Sequence, residues 1–158
     1  MMQDADLLQQ LVDDTSSAQR LLELTEREFL ALSERDLQTL ESILTSKQPL
    51  LALLTQHAEA RRLLLAKHGL EADKSGLQHF ASKQSDGESI LEQAATLEAL
   101  LTDCKTANQR NGQLIQANRS AVGDMLSILR GSSAPTNLYN SRGGATRSAA
   151  QQRPLSQA

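Results

Sequence analysis

Small and apolar residues recur along the first part of the chain at Leu8, Leu11, Thr15, Ala18, Leu22, Thr25, Phe29 and Leu32, alternately three and four positions apart. That spacing lays one side chain per turn along a single stripe, as a heptad seam requires. From Phe29 to Leu40 and from Ser33 to Leu44 the step becomes eleven residues, a drift toward the period of a straight helix. The pattern predicts a first helix of roughly 40 residues, about 60 Å long at 1.5 Å per residue. "TSKQP" is expected to break it, because Pro49 disfavours helical backbone at Gln48 and suits the opening turn of a new helix. The second helix, of about 20 residues at the usual rise, then uses Leu50, Leu51, Leu53, Leu54, Ala58, Leu64 and Leu65. It stops at "KHGL", where Gly69 can take the left-handed cap position and Leu70 the apolar contact after it.

Residues 71–87 read as a connector with a short helix across "KSGLQHFAS". "SDGE" supplies a capping-box start, with Ser85 bonding the amide of Glu88 and Glu88 reaching back. The most regular seam follows, at Ile90, Ala94, Leu97, Leu101, Cys104, Asn108, Asn111, Ile115, Asn118, Val122, Met125 and Leu129, in steps of four and three throughout. Gly131 is expected to end that helix. From Ser132 onward the chain is rich in Ser, Gly, Ala, Gln and Pro, with little apolar surface to offset the entropy of ordering its backbone. The predicted organisation is a helical domain over 1–131 and a flexible tail over 132–158.

Composition agrees with an all-α fold. Aromatic residues are 2% of the 158, represented by Phe29, Phe80 and Tyr139 without Trp, where sheets usually draw on aromatic and β-branched side chains. The fold class is therefore an elongated antiparallel helical bundle, or coiled coil, of three principal helices followed by the tail.

The net charge of -3 divides unevenly: all 19 acidic residues precede residue 131, so the body carries -6 and the tail, with Arg142, Arg147 and Arg153, carries +3. A body of that sign repels a phosphate backbone, which excludes nucleic acid. No run approaches the roughly 18 apolar residues a membrane span needs, and "MMQDADLLQQ" lacks the basic start and apolar run of a signal peptide. These features predict a cytoplasmic protein without stable membrane insertion. One cysteine, Cys104, permits no internal disulfide, in keeping with a reducing compartment.

Candidate chemistry is sparse. His57, His68 and His79 stand eleven apart, which puts neighbouring imidazoles on a helix about 16 Å apart, too far to share an ion. Cys104 lies on the apolar seam with no sequence-local histidine to lower its pKa. The "RGG" around Gly143 has neither a strand before it nor a phosphate-loop lysine. We expect no metal, no cofactor and no catalytic residue.

The asparagines on the last seam are the exception. One buried Asn can fix the register of a coiled coil. Asn108, Asn111 and Asn118 fall within eleven residues, and unpartnered amide burial costs about 1–3 kcal/mol each. Either they pair across the bundle, or the stretch meets water until something docks. Gly112 among them removes a side chain, so another helix can approach closely. We read the stretch as a partner surface with Ile115, Val122, Met125 and Leu129 as apolar anchors, since methionine adapts to more than one ligand shape. A short second helix would also leave part of the long pair uncovered. The alternative is a structural, self-associating coiled coil in which the asparagines set register.

"ANQRNGQLI" at 107–115, the leucine-rich first helix, "KQPLLALL", "RRLLLAKHGL" and a lone tyrosine in a glycine-containing tail resemble the FlgN family of flagellar type III export chaperones. The similarity covers residues 7–144. The resemblance implies a small acidic helical chaperone, not an enzyme, that binds the C-terminal helical regions of hook-associated proteins, the components of the hook–filament junction. It implies delivery to the cytoplasmic domain of the flagellar export gate, with the export ATPase as a further partner. The substrate site would then lie on the last helix, at Asn108, Asn111, Gly112, Ile115, Asn118, Val122, Met125 and Leu129. A tail tyrosine, here Tyr139, would dock on the gate, although Asn140 stands where a glycine often follows that tyrosine.

Overall fold

A computed structural model describes residues 2–130 of the chain. The expected tail over 132–158, with Tyr139, lies outside the described residues. The described residues contain helices and no strand: a 3-10 turn at Asp4–Asp6, then α1 (Leu7–Glu34), α2 (Leu37–Lys67), α3 (Lys74–Ala81) and α4 (Gly87–Leu129). The chain divides into two units, one running to Asn111 and one beginning at Gly112.

In the first unit α1 and α2 are antiparallel. Lys47 reaches Glu28 at 3.3 Å, Arg61 reaches Gln10 at 2.9 Å, and His68 reaches Asp4 at 3.0 Å, so α2 descends as α1 rises. Helix α4 instead runs parallel to α1. The Cys104 thiol donates to the Ala18 carbonyl and the Asn111 amide to that of Thr25, with 86 residues between the partners in both cases. Two apolar clusters fill the interior. The larger joins Leu7, Leu11 and Ala18 to Leu64, Phe80, Ile90 and Leu97; the smaller joins Leu24, Ala31 and Ile43. Each large side chain so removed from water contributes about 1.5–3 kcal/mol.

The break between the first two helices falls at Arg35 and Asp36 rather than at Pro49, so the first helix has 28 residues and the second 31. Arg35 takes the left-handed conformation at φ 56°, and the Asp36 amide closes the turn on the Ala31 carbonyl at 2.9 Å. Asp36 then caps α2, accepting from the Thr39 amide at 3.1 Å and the Thr39 hydroxyl at 2.6 Å. Those bonds favour the ionised form, the hydroxyl contributing most, and hold the Asp36 carboxyl below its ordinary range. The ends at Arg35 thus find partners for their orphan groups. Pro49 lies inside α2 on an exposed position. It removes one hydrogen bond, to the carbonyl of Thr45, itself exposed to water, while Lys47 and Leu50 on either side are packed inward. Tertiary packing carries the helix through.

The later punctuation follows the sequence more closely. Gly69 has φ 71° and donates to Ala66, and Leu70 donates to Leu65 before its side chain joins the larger core. Asp73 caps α3 by accepting from Gly76 at 2.7 Å. At the start of α4 the expected box is absent: the first helical bond runs from Ile90 to the Asp86 carbonyl, and no hydrogen bond joins Ser85 to Glu88. The chain turns there on Gly87, where a Cβ would come within 1.9 Å of the Ala81 carbonyl oxygen. Close passage of α3 against this residue sets the entry of α4, so glycine takes over the task expected of the capping side chains.

Candidate functional site

The inward line of α4 consists of Ile90, Leu97, Cys104 and Asn111, seven residues apart, with Ala107 beside it. Leu101 and Asn108, expected on that line, are exposed because the buried face is centred slightly to one side of the predicted seam. Helix α1 shows the same rotation. Its buried line passes through Leu7, Leu11, Asp14, Ala18, Leu21, Thr25 and Glu28, displacing Thr15, Leu22 and Phe29 from the centre. Two carboxylates therefore enter the core.

Asp14 is fully buried and is bound on one oxygen by His57 Nδ1 and on the other by Arg61 Nη1, both from α2. Glu28 accepts from Lys47 Nζ at 3.3 Å and from Asn111 Nδ2 at 2.8 Å. Asn111, only 2% exposed, also donates to the Thr25 carbonyl at 2.9 Å. Its Oδ1 accepts from Arg110 Nε and Nη2 at 3.3 and 3.2 Å. Arg110 stacks 4.0 Å over the Phe29 ring and pairs with Glu26 at 2.9 Å. The amide thus has its two donors and its acceptor occupied, which removes the burial cost that made it suspect.

The three asparagines separate accordingly. Asn111 is a structural member of a buried polar cluster, contrary to the expectation of an open contact. Asn108 is exposed and places Oδ1 3.5 Å from Lys47 Nζ. Asn118 is half-buried in the second unit. Gly112 is exposed, and a Cβ there would meet nothing within 4 Å. No single signal within α1 or α4 reveals the cluster, since Asp14 and Glu28 find their bases on α2.

Beyond Asn111 no residue of α4 is buried. Apolar periodicity continues all the same: Ile115, Val122, Met125 and Leu129 are exposed, the last three by 54%, 60% and 75%, and Leu126 and Ile128 accompany them. Isolated apolar residues on a surface need no explanation, whereas a contiguous row at helical spacing marks an interaction face.

Among the described residues no group of His, Cys, Asp and Glu is arranged to hold a metal ion. His57 and His68 face different acids, Asp14 and Asp4. Burial, with Asp103 adding to it, pushes the Cys104 thiol above its ordinary range, and only its protonated form can donate to Ala18. Cys104 is accordingly expected to react with a thiol reagent at pH 8 at least about tenfold slower than in denaturant. Equal rates would show that the thiol is accessible.

Fold and site together define an all-α bundle whose longest helix ends in an exposed apolar face. The chain belongs to the FlgN family: the family model described as FlgN protein matches residues 1–147. A solved structure from Pseudomonas aeruginosa, named as a candidate flagella synthesis protein FlgN, is similar with 36% identity and a TM-score of 0.68, covering 82% of this chain and 99% of that one. No curated protein matches the chain. Membership places the protein among flagellar export chaperones. No helix of the described residues is long and apolar enough to cross a membrane.

Proposed function

We propose that this protein is a cytoplasmic chaperone that holds the C-terminal helical regions of hook-associated proteins on α4 and delivers them to the cytoplasmic domain of the export gate. The observation that carries the reading is the exposed row Ile115, Val122, Met125 and Leu129 on α4. A helix laid along such a row is recognised by apolar anchors at helical spacing, and the thioether of Met125 adapts to partners of differing shape. Gly112 and Asn118 belong to the contact, the first by leaving room and the second by offering an amide. Asn108, exposed one turn before Gly112, extends the contact, while Asn111 serves it by fixing the helix.

Delivery falls to Tyr139 in the segment 132–158, because an aromatic ring with a polar tip suits a pocket on another protein. The test is co-expression with the terminal helices of a junction protein, followed by size-exclusion chromatography and calorimetry. A defined complex is expected, and Tyr139→Ala should keep partner affinity within about twofold while lowering affinity for the gate domain at least about tenfold, the loss of a single anchor. Self-association with no complex would favour the scaffold reading. Equal loss of both affinities, or of neither, would remove Tyr139 from delivery.

A further inference from the structure

Asn111 is the only asparagine of the chain that a glycine follows; Asn108, Asn118, Asn137 and Asn140 precede Gln, Arg, Leu and Ser. Glycine has no Cβ to keep its backbone nitrogen away from the preceding side chain, so an unrestrained Asn-Gly pair is prone to cyclise. The Gly112 nitrogen gives up its proton and attacks Asn111 Cγ. The Cγ–Nδ2 bond breaks, and Nδ2 carries a proton away as ammonia, leaving a cyclic imide. Water then opens the ring at Cγ to give aspartate, or at the backbone carbonyl carbon to give isoaspartate. Water is the only co-reactant, and no atom changes oxidation state.

In the folded chain each participant is held. Asn111 is 2% exposed, its Nδ2 donates to the Thr25 carbonyl and to Glu28 Oε1, and its Oδ1 accepts from Arg110. The attacking nitrogen is engaged as well, since an amide inside an α-helix donates to the carbonyl four residues back. Turning the Asn111 side chain toward Gly112 therefore breaks both donor bonds of a buried amide. That guard has an edge. Gly112 is exposed, and no residue of α4 after Asn111 is buried. Between Gly112 and Leu129 neither Arg119 nor Asp124 has an opposite charge three or four residues away to brace the helix. Opening of the helix from its C-terminal side meets its first buried resistance at Asn111.

The product cannot return to the cluster. A carboxylate at position 111 has no hydrogen to donate, and it faces two acceptors, the Thr25 carbonyl and the like-charged Glu28. Isoaspartate also lengthens the backbone by one carbon and throws the following amides out of helical register.

We propose that Asn111–Gly112 is a latent self-modification site: the buried cluster keeps it inert, and a chain that opens there is converted irreversibly and no longer closes the cluster. This stands on the free chain and is independent of the partner reading of α4. The full chain is incubated at mildly alkaline pH, folded and in urea, and the peptide spanning 111–112 is followed by mass spectrometry. Conversion is expected at least about a hundredfold slower in the folded chain, because it waits on local opening. Glu28→Ala and the milder Arg110→Ala each take a partner from the Asn111 amide and should speed conversion without denaturant at least about fivefold. Circular dichroism checks that both are folded, and Arg110→Ala carries the comparison where Glu28→Ala is not. Gly112→Ala, where a Cβ meets nothing within 4 Å, should slow conversion in urea at least about tenfold. Asn111→Asp, standing for the product, should unfold at a lower urea concentration than the unmodified chain. Equal rates folded and in urea, or no acceleration in the folded variants, overturn the guard. Undiminished conversion in Gly112→Ala overturns the chemistry, and an unchanged midpoint in Asn111→Asp overturns the consequence.

Discussion

Val122→Asp and Met125→Asp are each expected to lower affinity for the partner's terminal helices at least about a hundredfold, roughly 2.7 kcal/mol, while leaving the free protein as helical as before. Both side chains are more than half exposed in the free chain, so a carboxylate there keeps its water and disturbs no packing. Binding changes its surroundings. Once a partner's apolar face closes over α4, the charge loses its hydration, with no base one turn from position 125 and only Arg119 one turn from position 122. Calorimetry gives the affinity and circular dichroism the helicity of the same samples. If either variant unfolds the free chain, the row is core and the docking face has been misplaced.

Glu28→Ala should cost about 3–5 kcal/mol of folding stability, as breaking a buried ion pair from one side does. The Glu28 and Lys47 side chains are only 10% and 9% exposed, so removing the carboxylate strands an ammonium group where little water reaches it. It also takes the acceptor from one Asn111 donor, leaving the Asn111 Nδ2 with the Thr25 carbonyl alone. Replacing the pair together, as Glu28→Met with Lys47→Leu, should cost less than Glu28→Ala, because no orphan charge remains and only the one Asn111 donor loses its acceptor, about 1–3 kcal/mol. Urea midpoints read both outcomes. A loss below about 1 kcal/mol for Glu28→Ala would mean that water compensates the ammonium.

The long last helix was legible because its period is unbroken over more than ten turns, and the second helix end because Gly69 is the residue a left-handed cap favours. The turn at Arg35 was harder to see. An arginine is a rare occupant of that conformation, and the remaining signal, Asp36 three residues before Thr39, is common in helices that do not start there. Pro49 misled for the opposite reason, since its effect depends on whether the lost hydrogen bond faces water or the core. The stripe of α1 was drawn too far to one side because periodicity in one helix rewards apolar residues and cannot foresee that Asp14 will meet Arg61. Asn111 is the same problem seen from α4: whether an amide is an open contact or a satisfied core group is decided by residues 86 and 83 positions away. Continued apolar spacing after Asn111 was readable, whereas its exposure required the fold.

The two buried ion pairs share one measure. Asp14 and Glu28 are fourteen residues apart on α1, and Arg61 and Lys47 are fourteen apart on α2 in the reverse order. Leucine stripes alone tolerate sliding by a heptad, since one leucine replaces another. Sliding these helices by seven residues moves Glu28 onto Leu40 or Leu54 and leaves Lys47 and Arg61 without their carboxylates, each such loss costing several kcal/mol. The same condition bears on any amphipathic helix that competes for the place of α1. A competitor lacking two acids at that fourteen-residue interval leaves both bases stranded, so the charge spacing acts as a password for pairing with α2.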